Sequence, residues 1–287
     1  MKLSEIKIQF QEELSGLYSK SEIQELFSIF CDYFLNLNKI ELRNHLENNL
    51  SESNSNRFSE AISELKTGKP FQQILGETKF FGLKFFVNEH VLIPRPETEE
   101  LLELAINKIK ERTTKKEIKI LDIGTGSGII PIVLKKYFPE AAVTALDISE
   151  EALKIARKNS DFHKTEINFI QKDYLNEIFD SAQTNEVYDV IISNPPYIGA
   201  EENPEIEDAV KGFEPHLALF SPTSDALIFY RQIAEDCKNH LAKNGFLFLE
   251  INQKLGQQTL ELFQDSFSKV HLLKDISGND RMIFGRK

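Results

Sequence analysis

The chain of 287 residues is 41% hydrophobic and 28% charged, which fits a globular protein with one large domain and a smaller one. Its formal net charge of −11 argues against a broad face that grips nucleic-acid phosphates and favours a basic protein partner. The histidines are scattered and the two cysteines lack metal-ligand spacing, so we expect no metal centre. The acidic N-terminal start is unlike a secretory signal, and no apolar run reaches the roughly 20 residues that a membrane span needs. We therefore expect a cytoplasmic protein.

Residues 1–76 are predicted to form a small helical domain. Apolar residues recur at helical spacing between residues 23 and 37 and again between 58 and 65, and Ser21 with Gln24 fits a capping box. The polar run 51–56 is interpreted as the loop between these stretches. Because the segment has no basic face, we expect a module that docks a protein substrate, although a simple stabilising appendage would have the same pattern.

Residues 77–93 are aromatic and β-prone and are interrupted by Gly82, so they predict a β-hairpin that links two domains. A helix is then expected to begin near Pro96, because proline suits the first helical turn and the carboxylates that follow it complement the helix dipole. Arg95 and Thr98, beside this start, are interpreted either as lining the functional pocket or as fixing the corner between the domains.

From residue 118 to the end, short apolar strands alternate with amphipathic helices, which is typical of a doubly wound, mostly parallel α/β sheet. We expect a catalytic domain over residues 94–287, in which the last two strands form a hairpin that leaves one strand antiparallel. The irregular stretch 198–223, which contains three prolines, is predicted to form a lid over the substrate. The predicted strands are 118–123, 142–147, 167–171, 187–193, 245–251, 269–275 and 281–286, and the predicted helices are 127–137, 149–160, 224–242 and 256–267.

A glycine-rich turn follows the first of these strands and predicts a nucleoside cofactor site. Its residues are Gly124, Thr125, Gly126, Ser127 and Gly128, and a turn of this kind brings a ligand to the start of a helix. The G-x-G-x-G spacing differs from the G-x-G-x-x-G of dinucleotide-binding folds, so NAD binding is the less favoured interpretation.

Three residues at or just after the ends of the next two predicted strands extend this prediction. Asp147 is expected to bind both ribose hydroxyls, and Asp173 with Tyr174 to hold the adenine by a polar contact and a stacked ring. The alternatives stay open: Asp147 before Ser149 also suits a helix cap, and Asp173 also suits an ordinary loop carboxylate.

The strand 187–193 runs directly into Asn194, Pro195, Pro196 and Tyr197, the most informative feature of the chain. Prolines have fixed φ and no N–H, so this corner presents carbonyl oxygens, to which Asn194 adds an amide oxygen and Tyr197 an aromatic wall. Such a clamp suits a planar NH2 group. Two acceptors on the N–H groups would turn the nitrogen lone pair towards an electrophile, which predicts methyl transfer from S-adenosylmethionine with Asn194, Pro195 and Tyr197 as the catalytic residues.

Over nearly its whole length the chain resembles the peptide-chain-release-factor glutamine N5-methyltransferases, the PrmC/HemK family. VLIPRPETE at residues 91–99 is the most specific of the matching segments, because generic nucleic-acid methyltransferases lack it. Asn252 stands where the family pattern has a glycine. The other matching segments are LDIGTGSG at 121–128, SNPPYI at 193–198, LEI at 249–251 and SGNDR at 277–281.

The resemblance implies a seven-stranded class I S-adenosylmethionine-dependent methyltransferase that produces S-adenosylhomocysteine. It implies that the glycine turn, Asp147 and Asn194 contact the cofactor and that residues 194–197 hold the acceptor. The implied substrate is the glutamine of the Gly-Gly-Gln loop in class-1 peptide chain release factors, which act in translation termination. Stable binding of nucleic acid is not expected.

Two other functions remain open at this point. An adenine or guanine amino-group methyltransferase acting on DNA or RNA would use the same clamp for a flipped base, although the acidic charge disfavours it. A non-catalytic adaptor that keeps the fold is the other, and the intact glycine turn, Asp147 and Asn194 argue against it.

Overall fold

The computed structural model describes residues 1–112, 117–176, 186–199 and 212–287. The chain divides into two compact units. The first comprises Met1–Gly76 with Asp208–Phe213, and the second comprises Glu77–Glu207 with Glu214–Lys287. Of the lid predicted over 198–223, residues 200–211 lie outside the described residues.

Residues 1–76 of the first unit are helical and enclose an aromatic core. Phe10 packs edge-on against Phe27 with ring centroids 5.5 Å apart, and Phe34 packs in the same way on Phe58 at 5.0 Å. The buried residues of this core all belong to helices of the same unit, so their burial stabilises this unit without a contribution from the second one. The helices are α1 Leu3–Leu14, α2 Lys20–Leu35, α3 Lys39–His45, α4 Glu52–Leu65 and α5 Phe71–Leu75.

Two local predictions in this unit are wrong. The capping box of α2 is formed by Ser19 and Glu22, not by Ser21 and Gln24, because the Glu22 carboxylate reaches back to accept the Ser19 N–H at 2.7 Å. The predicted polar loop 51–56 is the beginning of α4, where the Ser51 hydroxyl caps the helix by accepting the Asn54 N–H.

The second unit begins with the predicted hairpin, formed by strands β1 Glu77–Phe80 and β2 Leu83–Phe86. Its two central residues, Phe81 and Gly82, have φ of 51° and 71°, as in a type I′ turn. Positive φ is unfavourable for phenylalanine, and the Glu99 carboxylate offsets it by accepting the Phe81 N–H at 2.5 Å.

A seven-stranded sheet forms the centre of the second unit, in the order β5-β4-β3-β6-β7-β9-β8. The first five strands in this order are parallel, and β9 pairs antiparallel with β7 and β8. The doubly wound, mostly parallel fold class is therefore confirmed. The strands are β3 Lys119–Ile123, β4 Ala142–Asp147, β5 Asn168–Gln171, β6 Tyr188–Ser193, β7 Leu241–Glu250, β8 Lys269–Lys274 and β9 Asp280–Arg286.

Helices cover both faces of this sheet, so the central strands are apolar on both sides. In β3, Ile120 enters one hydrophobic cluster and Leu121 enters the other, and Ile192 and Ile191 of β6 alternate in the same way. The helices are α6 Pro96–Arg112, α7 Ile129–Tyr137, α8 Glu150–His163, α9 His216–Leu219, α10 Ile228–His240 and α11 Gly256–Glu261.

The order of the strands places the candidate site. From β3 the chain winds outward through β4 to β5, and then returns to add β6 on the other side of β3. The carboxyl ends of β3 and β6 therefore meet at a topological switch point, where ligands bind in open α/β sheets. The glycine turn follows β3, and the Asn194–Tyr197 corner follows β6. No helix within the described part of the chain is both long and apolar enough to span a bilayer.

Candidate active site

The glycine turn between β3 and α7 is tightly wound and tied to the neighbouring strand. Gly124, Gly126 and Gly128 all have positive φ, at 73°, 55° and 79°. The N–H groups of Gly124 and Thr125 both donate to the Leu146 carbonyl, at 2.9 and 2.8 Å. At Gly128 a Cβ would also lie 3.0 Å from Ala156 of α8, so glycine there serves both conformation and close packing.

Asp147, at the end of β4, holds the turn with its carboxylate. Its Oδ2 accepts the Gly126 N–H at 2.8 Å, and its Oδ1 accepts the Ser149 N–H at 2.9 Å. Burial raises the pKa of Asp147, and these backbone donors oppose the shift. Asp147 thus does bond the start of α8, as the capping alternative proposed. Each carboxylate oxygen has a further lone pair, so the ribose prediction remains open.

Asp122, near the end of β3, was assigned no role by sequence reasoning. It is fully buried, and neither of its carboxylate oxygens nor the Thr125 hydroxyl has a hydrogen-bond partner among the described residues. Burial raises the pKa of Asp122 to about 7, and the negative charge of Asp147 adds to the shift. A charged residue inside an apolar strand is the sequence signal that could have identified it.

Asp173 and Tyr174 follow β5, and their contacts are local or internal. The Asp173 carboxylate accepts the N–H groups of Leu175 and Asn176, and the side-chain amide of Asn176 lowers its pKa. Tyr174 is 7% exposed, and its hydroxyl donates to Asp236 of α10 at 2.5 Å. Both adenine contacts therefore stay predictions.

Asn194 lies directly at the end of β6, beside the glycine turn. The preceding Ser193 donates its hydroxyl to the Ile123 carbonyl at 2.7 Å, which joins the ends of β6 and β3. The Asn194 amide nitrogen, Nδ2, donates to the Thr98 hydroxyl at 3.2 Å. Its amide oxygen, Oδ1, has no hydrogen-bond donor among the described residues and stays available as an acceptor.

A buried network of polar side chains lies behind this corner. The Thr98 hydroxyl donates to Oε2 of Glu250 at 2.7 Å, and the Tyr197 hydroxyl donates to Oε1 of Glu250 at 3.2 Å. Thr98 and Glu250 are only 2% and 1% exposed. Burial raises the pKa of Glu250 to about 7, and the Thr98 hydroxyl opposes this shift.

The backbone of the corner is fixed on both sides. The Asn252 side-chain amide donates to the Tyr197 carbonyl at 3.1 Å. Ile198, which follows Tyr197, donates its N–H to the Leu219 carbonyl, and its own carbonyl accepts the Ser221 N–H. Pro195 is buried and Pro196 half-buried, so the prolines and these bonds together restrict the corner to one conformation.

Arg95 and Thr98, for which the sequence left two interpretations open, have different partners in the structure. Thr98 joins the Asn194 and Glu250 side chains, as described above. Arg95 instead donates to Oε1 of Glu214 at 2.5 Å, while Oε2 of Glu214 accepts the Ile93 N–H at 3.0 Å. Both buried glutamates lie in segments that match the family pattern, but sequence reasoning gave their side chains no role, because the partners Ile93 and Thr98 lie more than a hundred positions away along the chain.

Comparison with known proteins agrees with this fold. The family model described as the PrmC N-terminal domain matches residues 5–76, and the Methyltransferase small domain matches residues 102–210. Among solved structures, the catalytic domain of hMettl16, in complex with MAT2A 3'UTR hairpin 1, has a TM-score of 0.56 at 15% identity, covering 92% of this chain and 90% of that chain. At that identity the likeness concerns the fold alone.

Curated relatives are much more similar in sequence. The release factor glutamine methyltransferase of Flavobacterium psychrophilum is 43% identical, covering 99% of this chain and 98% of that protein. The protein of the same name from Streptococcus pneumoniae is 40% identical, with 99% and 98% covered. The sheet and its switch-point site define the class, a class I methyltransferase. Within that class, the chain belongs to the release factor glutamine methyltransferase family.

Proposed function

We propose that this protein transfers a methyl group from S-adenosylmethionine to the side-chain amide nitrogen N5 of the glutamine in the Gly-Gly-Gln loop of class-1 peptide chain release factors. The observation that carries the proposal is the state of Asn194: its Nδ2 is held by Thr98, and its Oδ1 is left to accept from a ligand beside the glycine turn. An acceptor at this position suits a primary amide, and the family membership of the chain supports glutamine as the residue modified.

The residues around the glycine turn fit the proposed cofactor. The buried, unpartnered carboxylate of Asp122 and hydroxyl of Thr125 suit a cationic hydrogen-bond donor such as an amino-acid ammonium group. Gly124 to Gly128 and Asn194 would line the site, Asp147 would bind the ribose, and Asp173 and Tyr174 the adenine. S-adenosylmethionine, when bound, supplies a methyl group on a positively charged sulfur, which makes that carbon a strong electrophile.

The corner activates the acceptor amide. An amide nitrogen is a poor nucleophile because its lone pair is delocalised into the carbonyl group. Oδ1 of Asn194 and the carbonyl oxygen of Pro195 accept its two N–H bonds, and this directs the lone pair away from the clamp. As a bond to carbon forms, positive charge grows on the nitrogen and both hydrogen bonds strengthen, which lowers the barrier.

The remaining residues orient the acceptor and need no general base. Tyr197 supplies an aromatic wall, and Pro196 completes the rigid corner, so the substrate amide is held in one plane. Holding two reactants in a productive arrangement supplies on the order of 7–11 kcal/mol in favourable systems. The nitrogen, once alkylated, is acidic and releases its extra proton to solvent.

We further propose that residues 1–76 dock the release factor, that residues 77–93 link this domain to the rest, and that residues 94–287 form the methyltransferase domain. The first unit has its own hydrophobic core, as an independently folded docking module requires. Because class-1 release factors act on ribosomes, the proposed substrate places the activity in the cytoplasm.

The proposal is tested by incubating the protein with methyl-labelled cofactor and separate acceptors. We expect label on a purified class-1 release factor and none on the same factor carrying glutamate in place of the loop glutamine. Duplex DNA and ribosomal RNA serve as the other acceptors and should remain unlabelled. Stoichiometric labelling of either nucleic acid, with none on the release factor, would favour base methylation instead.

A further inference from the structure

We propose that Glu250 and Thr98 are positioning residues that determine which atom of the Asn194 amide faces the acceptor. In this arrangement the Glu250 carboxylate acts on Asn194 only through the Thr98 hydroxyl. The inference rests on the proposed function only for the identity of the acceptor. The orientation of Asn194 itself is a property of the protein that can be measured without any substrate.

The geometry of the chain of hydrogen bonds is directional. The Thr98 hydroxyl has a single proton, and this proton is donated to Oε2 of Glu250 at 2.7 Å. An ionised carboxylate has no proton to give, so the hydroxyl must be the donor of this bond. The Thr98 oxygen then has only lone pairs left, and it meets Nδ2 of Asn194 at 3.2 Å.

This directionality fixes the Asn194 side chain. A 180° rotation of its amide would place Oδ1 against the Thr98 oxygen, which has no second proton, and two acceptors would face each other. The same rotation would turn the NH2 group of Asn194 towards the NH2 group of the acceptor amide. The charged form of Glu250 therefore keeps Oδ1, the catalytically useful atom, directed into the site.

Protonation of Glu250 would remove the constraint. The carboxyl group, having taken a proton from solvent, can donate it to the Thr98 oxygen. The Thr98 hydroxyl is then free to donate to Oδ1 of Asn194, and the amide can rotate. Since burial raises the pKa of Glu250 to about 7, this exchange is expected in the neutral range. The active form is the deprotonated one, so activity should fall as pH falls through that range.

The surroundings of Glu250 contain charges of both signs. The guanidinium of Arg281 favours the charged form, and the carboxylate of Glu97 disfavours it. Burial is the largest influence and sets the direction of the shift. The groups that face Glu250 are Glu97 and Thr98 of α6, Tyr197 after β6, Tyr230 of α10, whose hydroxyl donates to the Glu250 carbonyl, and Arg281 of β9, which is paired with Asp275.

The direct test follows the side-chain NH2 resonances of Asn194 by NMR in protein labelled with ¹⁵N at asparagine, without substrate. The resonance is assigned by its loss in Asn194→Ala. Between about pH 5.5 and about pH 8.5 we expect it to titrate with a near-neutral midpoint in the unmodified protein. The control Glu151→Gln, which removes an exposed carboxylate on α8, should titrate in the same way. Glu250→Gln and Thr98→Val should show no such titration.

A kinetic comparison then links orientation to turnover. Thr98→Val keeps the shape of the side chain and removes the hydroxyl, whereas Thr98→Ser keeps the hydroxyl. We expect Thr98→Val to lower kcat on a Gly-Gly-Gln peptide by about 10- to 100-fold with a smaller change in KM, and Thr98→Ser to restore most of the loss. In Glu250→Gln, the fall of kcat with decreasing pH in the near-neutral range should also disappear.

Either of two NMR results would overturn the inference: an Asn194 resonance that does not titrate in the unmodified protein, or a titration that persists in Glu250→Gln. Equal kcat values for Thr98→Val and Thr98→Ser would also contradict it. If the unmodified protein labels no Gly-Gly-Gln substrate, the proposed function fails, and the NMR titration still decides the role of Glu250. The two failures are thereby distinguished.

Discussion

The carboxylate of Asp147 accepts the N–H of Gly126 at 2.8 Å, across 21 positions of the chain. This bond joins the residue at the end of β4 to the middle of the turn that follows β3. The second carboxylate oxygen accepts the Ser149 N–H, so one side chain connects the glycine turn with the start of α8. Asp147, which is proposed to bind the ribose, thus also shapes the glycine turn. Its removal should weaken cofactor binding in two ways, by loss of the ribose contact and by loss of the acceptor for Gly126.

Asp147→Ala is accordingly expected to weaken binding of S-adenosylmethionine by about tenfold or more, equivalent to ~1.4 kcal/mol. The reason is the loss of a ligand together with the loss of the acceptor for Gly126. Isothermal titration calorimetry measures the change. The matched control is Ser149→Ala, which removes only the cap on the Ala152 N–H and should lower the free energy of unfolding by about 1 kcal/mol. If both variants bind the cofactor like the parent, Asp147 has no binding role.

Asp122→Asn should raise stability and lower cofactor affinity. The folded-state pKa of Asp122 is about 7, against a usual value of 3.8, so within that window the folded protein holds a proton that the unfolded chain has released. The free energy of unfolding contributed by this group therefore falls as pH rises through the window. The neutral amide of the variant does not titrate. Between acid and mildly alkaline pH, the difference in free energy of unfolding should therefore change in favour of the variant by more than about 1 kcal/mol.

Denaturant unfolding at several pH values, without cofactor, measures this gain, and calorimetry at mildly alkaline pH measures the affinity. The exposed carboxylate of Glu235, on α10, gives the control Glu235→Gln, which should change neither. A stability difference between Asp122→Asn and the parent that does not vary with pH would contradict the account of Asp122.

Asn194→Ala should abolish most methyl transfer while leaving cofactor binding measurable. The change removes one of the two acceptors of the amide clamp, and loss of one such hydrogen-bonding group costs about 10²–10³ in kcat in comparable sites. Single-turnover transfer to a Gly-Gly-Gln peptide measures the chemical step. Asn168→Ala, an exposed position on the edge strand β5, is the control and should behave as the parent. Undiminished transfer by Asn194→Ala would exclude the role given to Asn194.

Removal of residues 1–76 should affect intact release factor more than a short peptide. If this segment docks the protein substrate, kcat/KM on the release factor should fall by about tenfold or more, equivalent to ~1.4 kcal/mol. On a Gly-Gly-Gln peptide the change should be small, because the peptide has nothing for the segment to bind. Far-ultraviolet circular dichroism checks that the shortened chain is folded. Equal losses on both substrates would support a stabilising appendage instead of a docking module.

Most of the fold was predictable because its signals are local. The strand predicted at 142–147 matches β4, Ala142–Asp147, since a run of apolar residues is bounded by turn residues on both sides. Helix starts were harder. Helix α10 begins at Ile228 and not at 224, because the Asp225 carboxylate accepts the Leu227 N–H and closes a turn before the helix. Such competition between a side chain and the backbone is not visible in periodicity.

In the site, the residues that lie at or directly after the end of a predicted strand were predictable, including Asp147, whose carboxylate accepts the Gly126 N–H. The glycine turn and the Asn194–Tyr197 corner are continuous motifs, and strand order brings them together. The Thr98–Glu250 bond joins residues 152 positions apart, and no pattern in one sequence pairs them. Asn252 was noted only as a departure from the family pattern, yet its side chain supports the Tyr197 carbonyl.

The central claim is that a carboxamide side chain, seated on the corner after β6, receives the methyl group. Peptide mass mapping of a class-1 release factor, after incubation with this protein and S-adenosylmethionine, tests it most directly. The account predicts one added methyl group, located on the side-chain nitrogen of the Gly-Gly-Gln glutamine. A release factor that remains unmodified, or that gains its methyl group on any other residue, would contradict it.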